Sequence, residues 1–162
     1  RGNSNLYLAE LETPWSIKSH PVMLTKPEFD WEIQGFWVNE GPAVIRHGDK
    51  IFVTYSASAT DENYCMGLLW AKEGANILDA SAWHKVDKPV FSTARHHRQF
   101  GPGHNSFTRT KEGQDVLVYH ARNYTEIEGD PLYDPNRHTR IKIFHWDEKG
   151  MPVFGEPLAD NR

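Results

Sequence analysis

Glu40 is the carboxylate whose position in the sequence most suggests chemistry. It lies in the motif VNEGP (residues 38–42), after an aromatic pair and immediately before two stretches with the pattern of paired strands. A carboxyl group at the mouth of a hairpin can donate or accept a proton in a reaction. Solvated glutamates are common in loops, so an ordinary exposed side chain is the alternative interpretation.

Two further residues have side chains that are suited to binding. His104 lies in FGPGHNS (residues 100–106), where a neutral imidazole could ligate a metal ion or a metal-bound water. Arg140, in HTR (residues 138–140), carries a permanently charged fork that suits bidentate contacts with hydroxyl groups or carboxylates. A hydrogen-bonded buried histidine without metal and a strand-end salt bridge are the structural alternatives.

The composition limits the classes of function. The 162 residues include 18 basic and 22 acidic side chains, and the formal net charge of −4 gives no reason to expect nucleic acid or an anionic membrane as partner. The longest apolar runs are far too short to span a bilayer. A single cysteine, Cys65, excludes an internal disulfide framework and a cysteine-based zinc site.

The elements that must position these residues are predicted to be strands. Period-two runs of β-branched and aromatic residues dominate, and long helical periodicity is absent. Turn signals rich in glycine and charged residues separate the runs. The predicted strands are residues 5–11, 43–46, 51–56, 67–71, 106–109, 116–121 and 140–146. With at most a short helical turn around residues 78–83, the sequence predicts an all-β fold.

The strands follow a repeat. Gly41-Pro42 and, sixty positions later, Gly101-Pro102 each precede a strand, a glycine-containing turn, a second strand, a loop and a third strand. Repeated antiparallel units of this kind are typical of β-propeller blades. Residues 6–9 match only the third strand, so the first unit is incomplete. A β-sandwich is the competing architecture.

Three motifs in this order, VNEGP, FGPGHNS and HTR, resemble glycoside hydrolase family 43. Within that family, YSASATDENYC (residues 55–65) and the stretch from residue 119 to 140 are most similar to α-L-arabinofuranosidases. The resemblance extends from Asn5 to Gly155. Each motif alone is weak, and the three together make the resemblance specific.

The resemblance implies an all-β, five-bladed β-propeller, of which this chain supplies roughly the last two to three blades. Residues 1–162 would then be the C-terminal part of one propeller catalytic domain. Family members use a glutamate acid, an aspartate base and an aspartate that tunes the acid. Both aspartates belong to blades that would precede this chain, so we expect Asp30, Asp61 and Asp134 not to fill those roles.

The resemblance also implies roles for individual residues. Glu40 would be the general acid, and Arg140 would contact the sugar in the cleavage subsite. If the units are blades, we expect Glu40, His104 and Arg140 to converge on one face near the propeller axis. Phe36 and Trp37 would line the sugar pocket, although packing between blades explains them equally well. A calcium-type ion on the propeller axis would be held chiefly by water and by His104, which is atypical because calcium prefers oxygen ligands. No organic cofactor is expected.

The implied activity is removal of terminal α-L-arabinofuranosyl residues from arabinose-containing polysaccharides or oligosaccharides by an inverting acid/base mechanism. A β-xylosidase, an endo-arabinanase or a non-catalytic sugar-binding propeller are the alternatives. The expected partners are this carbohydrate and the missing N-terminal blades, in the same polypeptide or in another chain, so we expect the chain alone to be inactive. A polysaccharide substrate favours a secreted or periplasmic protein, although the cytoplasm stays open.

Overall fold

The computed structural model describes residues 4–160, which form antiparallel strands and a few 3-10 helices of one turn. The strands are β1 (Leu6–Leu8), β2 (Leu11–Thr13), β3 (Ser16–Ile17), β4 (Val22–Thr25), β5 (Asn39–His47), β6 (Lys50–Ala57), β7 (Cys65–Lys72), β8 (His84–Lys85), β9 (Phe100–Arg109), β10 (Asp115–Arg122), β11 (His138–Ile143), β12 (His145–Trp146) and β13 (Pro152–Val153). The 3-10 helices are Asp30–Glu32, Ala80–Ala82, Arg95–His97 and Pro131–Tyr133.

The middle of the chain forms a four-stranded meander in the order β5-β6-β7-β8. Its strands are antiparallel, and Phe52 lies opposite both Ile45 and Trp70. Every residue of β6 from Ile51 to Ala57 is buried, so this strand is covered on both faces. A sheet with both faces covered has other layers packed against each side.

The units before and after this meander follow the same plan. In the later unit, β9, β10 and β11 form a sheet, and β12 pairs with β13. Phe144 separates β11 from β12, and its N–H donates to the Asp115 carbonyl over 3.2 Å. In the earlier unit β1 pairs with β4, and the hairpin of β2 and β3 lies between them in sequence. β1 and β4 therefore match the third and fourth strands of a meander.

Apolar side chains join neighbouring units. Met66 of β7 and Phe91 are buried in one cluster with Leu117 and Tyr119 of β10. A second cluster contains Leu6 of β1 together with residues of β6 and β7. Full burial of a large apolar side chain stabilises a fold by about 1.5–3 kcal/mol, so these clusters hold the sheets side by side.

The predicted strands are found, with differences at their ends and with interruptions in the strands predicted over residues 5–11 and 140–146. β5 and β9 begin before the Gly-Pro steps, because Gly41 and Gly101 adopt positive φ angles of 56° and 60° and let the strand continue. The predicted strand over residues 5–11 is divided into β1 and β2. The predicted helical turn is the 3-10 helix Ala80–Ala82, whose N-cap Asp79 accepts a hydrogen bond from the Ser81 N–H.

Candidate active site

Glu40 is the second residue of β5 and lies opposite Ser56 of β6. The register shifts between Glu40 and Ala43, and Gly41 has its positive φ within this irregularity. A bulge bends the strand and re-aims the side chains beside it. Glu40 is half-buried, and its side chain lines a pocket.

Tyr64, the residue before β7, holds one oxygen of this carboxylate. Its hydroxyl donates to Glu40 Oε1 over 2.7 Å and lies 3.5 Å from Nδ1 of His104. The Tyr64 ring is completely buried, and burial together with the negative charge of Glu40 raises the pKa of the phenol well above its ordinary value. Tyr64 therefore stays protonated and remains a donor at physiological pH.

Glycines allow this close approach. A Cβ at Gly103 would overlap the Tyr64 ring. A Cβ at Gly41 would lie 3.1 Å from Nδ1 of His104, at a position that already has positive φ. The Gly-Pro-Gly motif thus brings β9 against Tyr64, and the glycine of VNEGP leaves room for the histidine ring.

His104 lies on β9 beside the start of β5. Its φ is 46°, and its N–H donates to Ser56 Oγ over 2.7 Å. Ser56 is also the residue that lies opposite Glu40 in the sheet. The side chain is exposed and lines an open pocket of about 570 Å³ with His120 and Arg137. The structure therefore brings Glu40 and His104 together across two neighbouring sheets.

Glu40 opens into a smaller pocket of about 220 Å³ that adjoins the first, because Leu132 lines both. Phe36 contributes to the wall of the Glu40 pocket. Trp37 is 54% exposed and lines neither pocket. Concave surfaces that combine apolar walls with a few polar groups are typical of small-molecule sites.

Arg140 does not join this arrangement. Its Nε donates to the buried Gln99 Oε1, and its Nη2 lies 3.4 Å from Asp160. The pocket that Arg140 lines shares no lining residue with the Glu40 pocket. We expected Glu40, His104 and Arg140 to converge, and the structure corrects this for Arg140, whose guanidinium is already engaged in a structural network. The sugar contact of Arg140 stays a prediction.

His120, on β10, is a site residue that the sequence did not indicate. Its ring stacks on Tyr64, with centroids 5.5 Å apart and planes 8° from parallel. Both ring nitrogens are buried without a hydrogen-bond partner among residues 4–160. Burial, and then the positive charge of Arg137, lower the pKa of His120 to about 4. A neutral imidazole therefore lies at the inner wall of the pocket.

The three aspartates that we set aside have other surroundings. Asp134 accepts hydrogen bonds from Arg122 Nε over 2.9 Å and from the Tyr124 hydroxyl. Burial opposes the ionisation of Asp134, but the hydrogen bonds from Arg122, Tyr124 and the Asn136 backbone lower its pKa. Asp61 accepts from the N–H two residues later over 2.8 Å, and Asp30 begins a 3-10 helix. Asp61 and Asp134 are therefore held in local structural contacts.

A buried polar network anchors the start of β5. Glu32 is completely buried and accepts hydrogen bonds from the Tyr55 hydroxyl (2.8 Å), Asn39 Nδ2 (3.1 Å) and Lys85 Nζ (2.8 Å). Burial opposes the ionisation of Glu32, but hydrogen bonds from the backbone, Lys85 and Tyr55 hold its pKa below the usual value. The network thus ties β6 and β8 to the residue that precedes Glu40.

The axial metal ion would find a single protein ligand in this part of the chain. His104 can offer one imidazole nitrogen, and no group of three or more His, Cys, Asp or Glu side chains within residues 4–160 includes it. The donor set therefore fits an ion held chiefly by water, and the calcium-type ion stays a prediction.

The family follows from a comparison with known proteins. A sequence profile of the glycosyl hydrolases family 43 matches residues 1–152. The chain belongs to family 43.

Related proteins carry consistent names. The chain is 52% identical over 159 residues to the extracellular exo-α-(1→5)-L-arabinofuranosidase of Streptomyces avermitilis, and this match covers 98% of the chain and 33% of that protein. It is 50% identical to the α-L-arabinofuranosidase 43 of Humicola insolens, with the same coverage. The chain thus spans about a third of the length of these curated relatives.

A solved structure gives the architecture. The crystal structure of the α-L-arabinofuranosidase from Lactobacillus brevis is 58% identical, with a TM-score of 0.98 over 100% of this chain and 50% of that chain. Its family-43 neighbours are five-bladed β-propellers. The predicted propeller fold is confirmed and the β-sandwich alternative is wrong, so the meander of β5 to β8 is one blade. No helix among residues 4–160 is long and apolar enough to cross a membrane.

The sequence carried a signal for the close approach of Tyr64 but none for His120. The glycines around Pro102 indicate that other groups approach β9 closely, and these are the Asp61 carbonyl at Gly101 and the Tyr64 ring at Gly103. His120 occupies an ordinary strand position, and nothing in its sequence context distinguishes it from a histidine on a solvated face.

Proposed function

We propose that the whole protein is an α-L-arabinofuranosidase of family 43, which removes terminal α-L-arabinofuranosyl residues with inversion. The observation that carries the proposal is the position of Glu40. This half-buried residue is the second of a blade's first strand, lines a pocket, and accepts a hydrogen bond from Tyr64. The names of the relatives from Streptomyces avermitilis and Humicola insolens support arabinofuranose as the sugar.

In this proposal Glu40 is the proton donor. The bond between the anomeric carbon and the glycosidic oxygen breaks as Glu40 protonates that oxygen, and a water oxygen bonds to the anomeric carbon from the opposite face. The base that takes the proton from this water is an aspartate outside this chain. Acid and base carboxyl groups stand roughly 6.5–9.5 Å apart in inverting enzymes, which leaves room for the water.

Tyr64 gives the acid its orientation. Its hydroxyl occupies Glu40 Oε1, so Oε2 is the oxygen that carries the transferable proton. Burial keeps the pKa of the phenol high, so Tyr64 holds its own proton at neutral pH and acts towards Glu40 as a hydrogen-bond donor. Phe36 provides an apolar wall of the Glu40 pocket, and the neutral His120 ring forms part of the inner wall of the adjoining pocket.

The proposal extends to substrate, partner and location. The substrate class is an arabinose-containing oligosaccharide or polysaccharide, and the remaining blades complete the site. Secretion is supported by the relative from Streptomyces avermitilis, which is named as extracellular. Arg140 as a sugar contact and His104 as an axial metal ligand are kept as parts of the proposal.

The test is the identity and configuration of the released sugar. The full-length protein is incubated with an α-1,5-linked arabino-oligosaccharide, and proton NMR spectra are recorded within the first minutes. We expect β-configured arabinose to appear before mutarotation. Release of the α anomer would contradict inversion, and activity on xylosides alone would contradict the assigned sugar.

A further inference from the structure

Away from the Glu40 pocket, the structure gathers two histidines and a glutamate from distant parts of the chain. His96 and His97 belong to the 3-10 helix Arg95–His97 before β9, and Glu156 lies in the segment after β13. One nitrogen of each imidazole and one oxygen of Glu156 all lie within 4.8 Å of one another. Among residues 4–160 this is the only group of three or more such side chains close enough to share an ion.

The distances suit a transition metal. His96 Nε2 and Glu156 Oε2 are 3.2 Å apart. In a tetrahedral site with metal–ligand bonds of about 2.0–2.2 Å, neighbouring ligand atoms lie about 3.3–3.6 Å apart. Two of the ligand atoms are thus already near coordination spacing. The exposed side chains of His96 and Glu156 can turn to bring in the third.

A hydrogen bond orients the His97 ring in the way that histidine ligands of metal ions are oriented. Nδ1 of His97 lies 2.7 Å from the carbonyl oxygen of Pro157, the residue after Glu156. An imidazole that donates its Nδ1–H to a carbonyl has its lone pair on Nε2, and metal-binding histidines are commonly oriented in this way. The hydrogen bond therefore fixes the tautomer that leaves Nε2 free to bind a metal ion.

Charge and access agree with a cation. Glu156 supplies a negative charge to the cluster, and Arg95 is drawn away by its ion pair with Glu62 (2.7 Å). Arg98 and Asp160, of opposite charge, line the same cavity as the two histidines. The two histidines also line an open cavity of about 610 Å³, so an ion and a water ligand can enter from solvent. Imidazole ligands favour zinc, nickel or copper over calcium.

We propose that His96, His97 and Glu156 form a binding site for a divalent transition metal such as Zn²⁺. The fourth position is taken by water or by a ligand from solvent. The bound ion links the turn before β9 to the segment after β13, sixty residues away. This site is separate from the predicted axial site at His104 and does not depend on the proposed glycosidase activity.

The test uses the metal-depleted full-length protein, saturated with Ca²⁺, in a calorimetric Zn²⁺ titration at pH 7.5. We expect one zinc site, with at least a tenfold loss of affinity in His97→Gln and in Glu156→Gln. His20→Gln changes an exposed histidine outside the cluster and should bind as the wild type does. Co²⁺ in place of Zn²⁺ should give the visible absorption of four-coordinate cobalt, and His97→Gln should lose it.

Protonation supplies an independent readout. Zinc affinity should fall steeply as the pH drops below about 6.5, where imidazole becomes protonated. Wild-type affinity in a double His96→Gln, His97→Gln variant would overturn the proposal. Loss of zinc binding only in His104→Gln would overturn it as well, because the ion would then lie on the axis.

Discussion

At the scale of single residues, the contact between Tyr64 and Glu40 decides how the candidate acid is held. Tyr64→Phe keeps the buried ring and removes the hydroxyl that donates a hydrogen bond to Glu40 Oε1. A hydrogen bond to a charged group contributes about 1.5–3 kcal/mol, so we expect kcat/KM on an arabino-oligosaccharide to fall about 10- to 100-fold. The far-UV circular dichroism spectrum should stay unchanged.

The matched control for this change is Tyr7→Phe. Tyr7 lies on β1 and is mostly exposed, so loss of its hydroxyl should leave the rate near that of the wild type. Equal rates in the Tyr64 and Tyr7 variants would show that the hydrogen bond does not position the acid.

Also at the scale of single residues, the buried His120 should make the stability of the fold depend on pH. In the unfolded chain a histidine titrates near pH 6.5, whereas the folded-state pKa of His120 is about 4. Between these values the unfolded state binds more protons, so stability present above pH 6.5 is lost as the pH falls. From pH 7 to pH 5 the loss due to His120 should be about 2 kcal/mol.

Urea unfolding at pH 7 and at pH 5 measures this effect. His120→Gln should flatten the fall in unfolding free energy between the two pH values, and His20→Gln should keep the wild-type difference. If the fall is as steep in His120→Gln as in the wild type, another group causes it.

At the scale of elements, the buried Glu32 connects β5, β6 and β8 and thereby fixes the strand that carries Glu40. Glu32→Gln removes the charge that faces Lys85 Nζ, whose side chain is only 13% exposed. Removing one partner of a buried ion pair typically destabilises a protein by about 3–5 kcal/mol, and we expect a loss of this size in chemical denaturation.

Glu28→Gln provides the matched control, because Glu28 also contacts Lys85, at 3.2 Å, but is 48% exposed. Surface ion pairs contribute about 0–1 kcal/mol, so this variant should be nearly as stable as the wild type. Similar stability losses in the two variants would contradict a special role for the buried network.

The elements also mark where prediction from sequence reached its limit. The centres of β6 and β10 followed from their content of β-branched and aromatic residues, which is a local property. The starts of β5 and β9 did not, since they depend on positive φ at Gly41 and Gly101 and on contacts across sheets. The Glu32 network joins residues up to 53 positions apart, and no local pattern announces such a contact.

At the scale of the whole molecule, the repeat and the three motifs were enough to predict the propeller and the nearness of Glu40 to His104. They were not enough for Arg140, because its guanidinium is engaged by Gln99 and Asp160 near the end of the described chain. Strand periodicity shows which residues share a sheet face, but the partner of a long side chain depends on how distant segments pack. His96, His97 and Glu156 are a second example of such packing.

The central claim is that Glu40 protonates the leaving group, and the dependence of rate on the leaving group tests it most directly. In the full-length protein, kcat/KM is measured for wild type and Glu40→Gln with an arabino-oligosaccharide and with an aryl arabinofuranoside whose leaving group needs little protonation. An amide cannot act as general acid, so we expect a loss of about 100- to 10,000-fold on the oligosaccharide and a much smaller loss on the aryl substrate. Equal losses on both substrates, or wild-type turnover of the oligosaccharide by Glu40→Gln, would contradict the assignment.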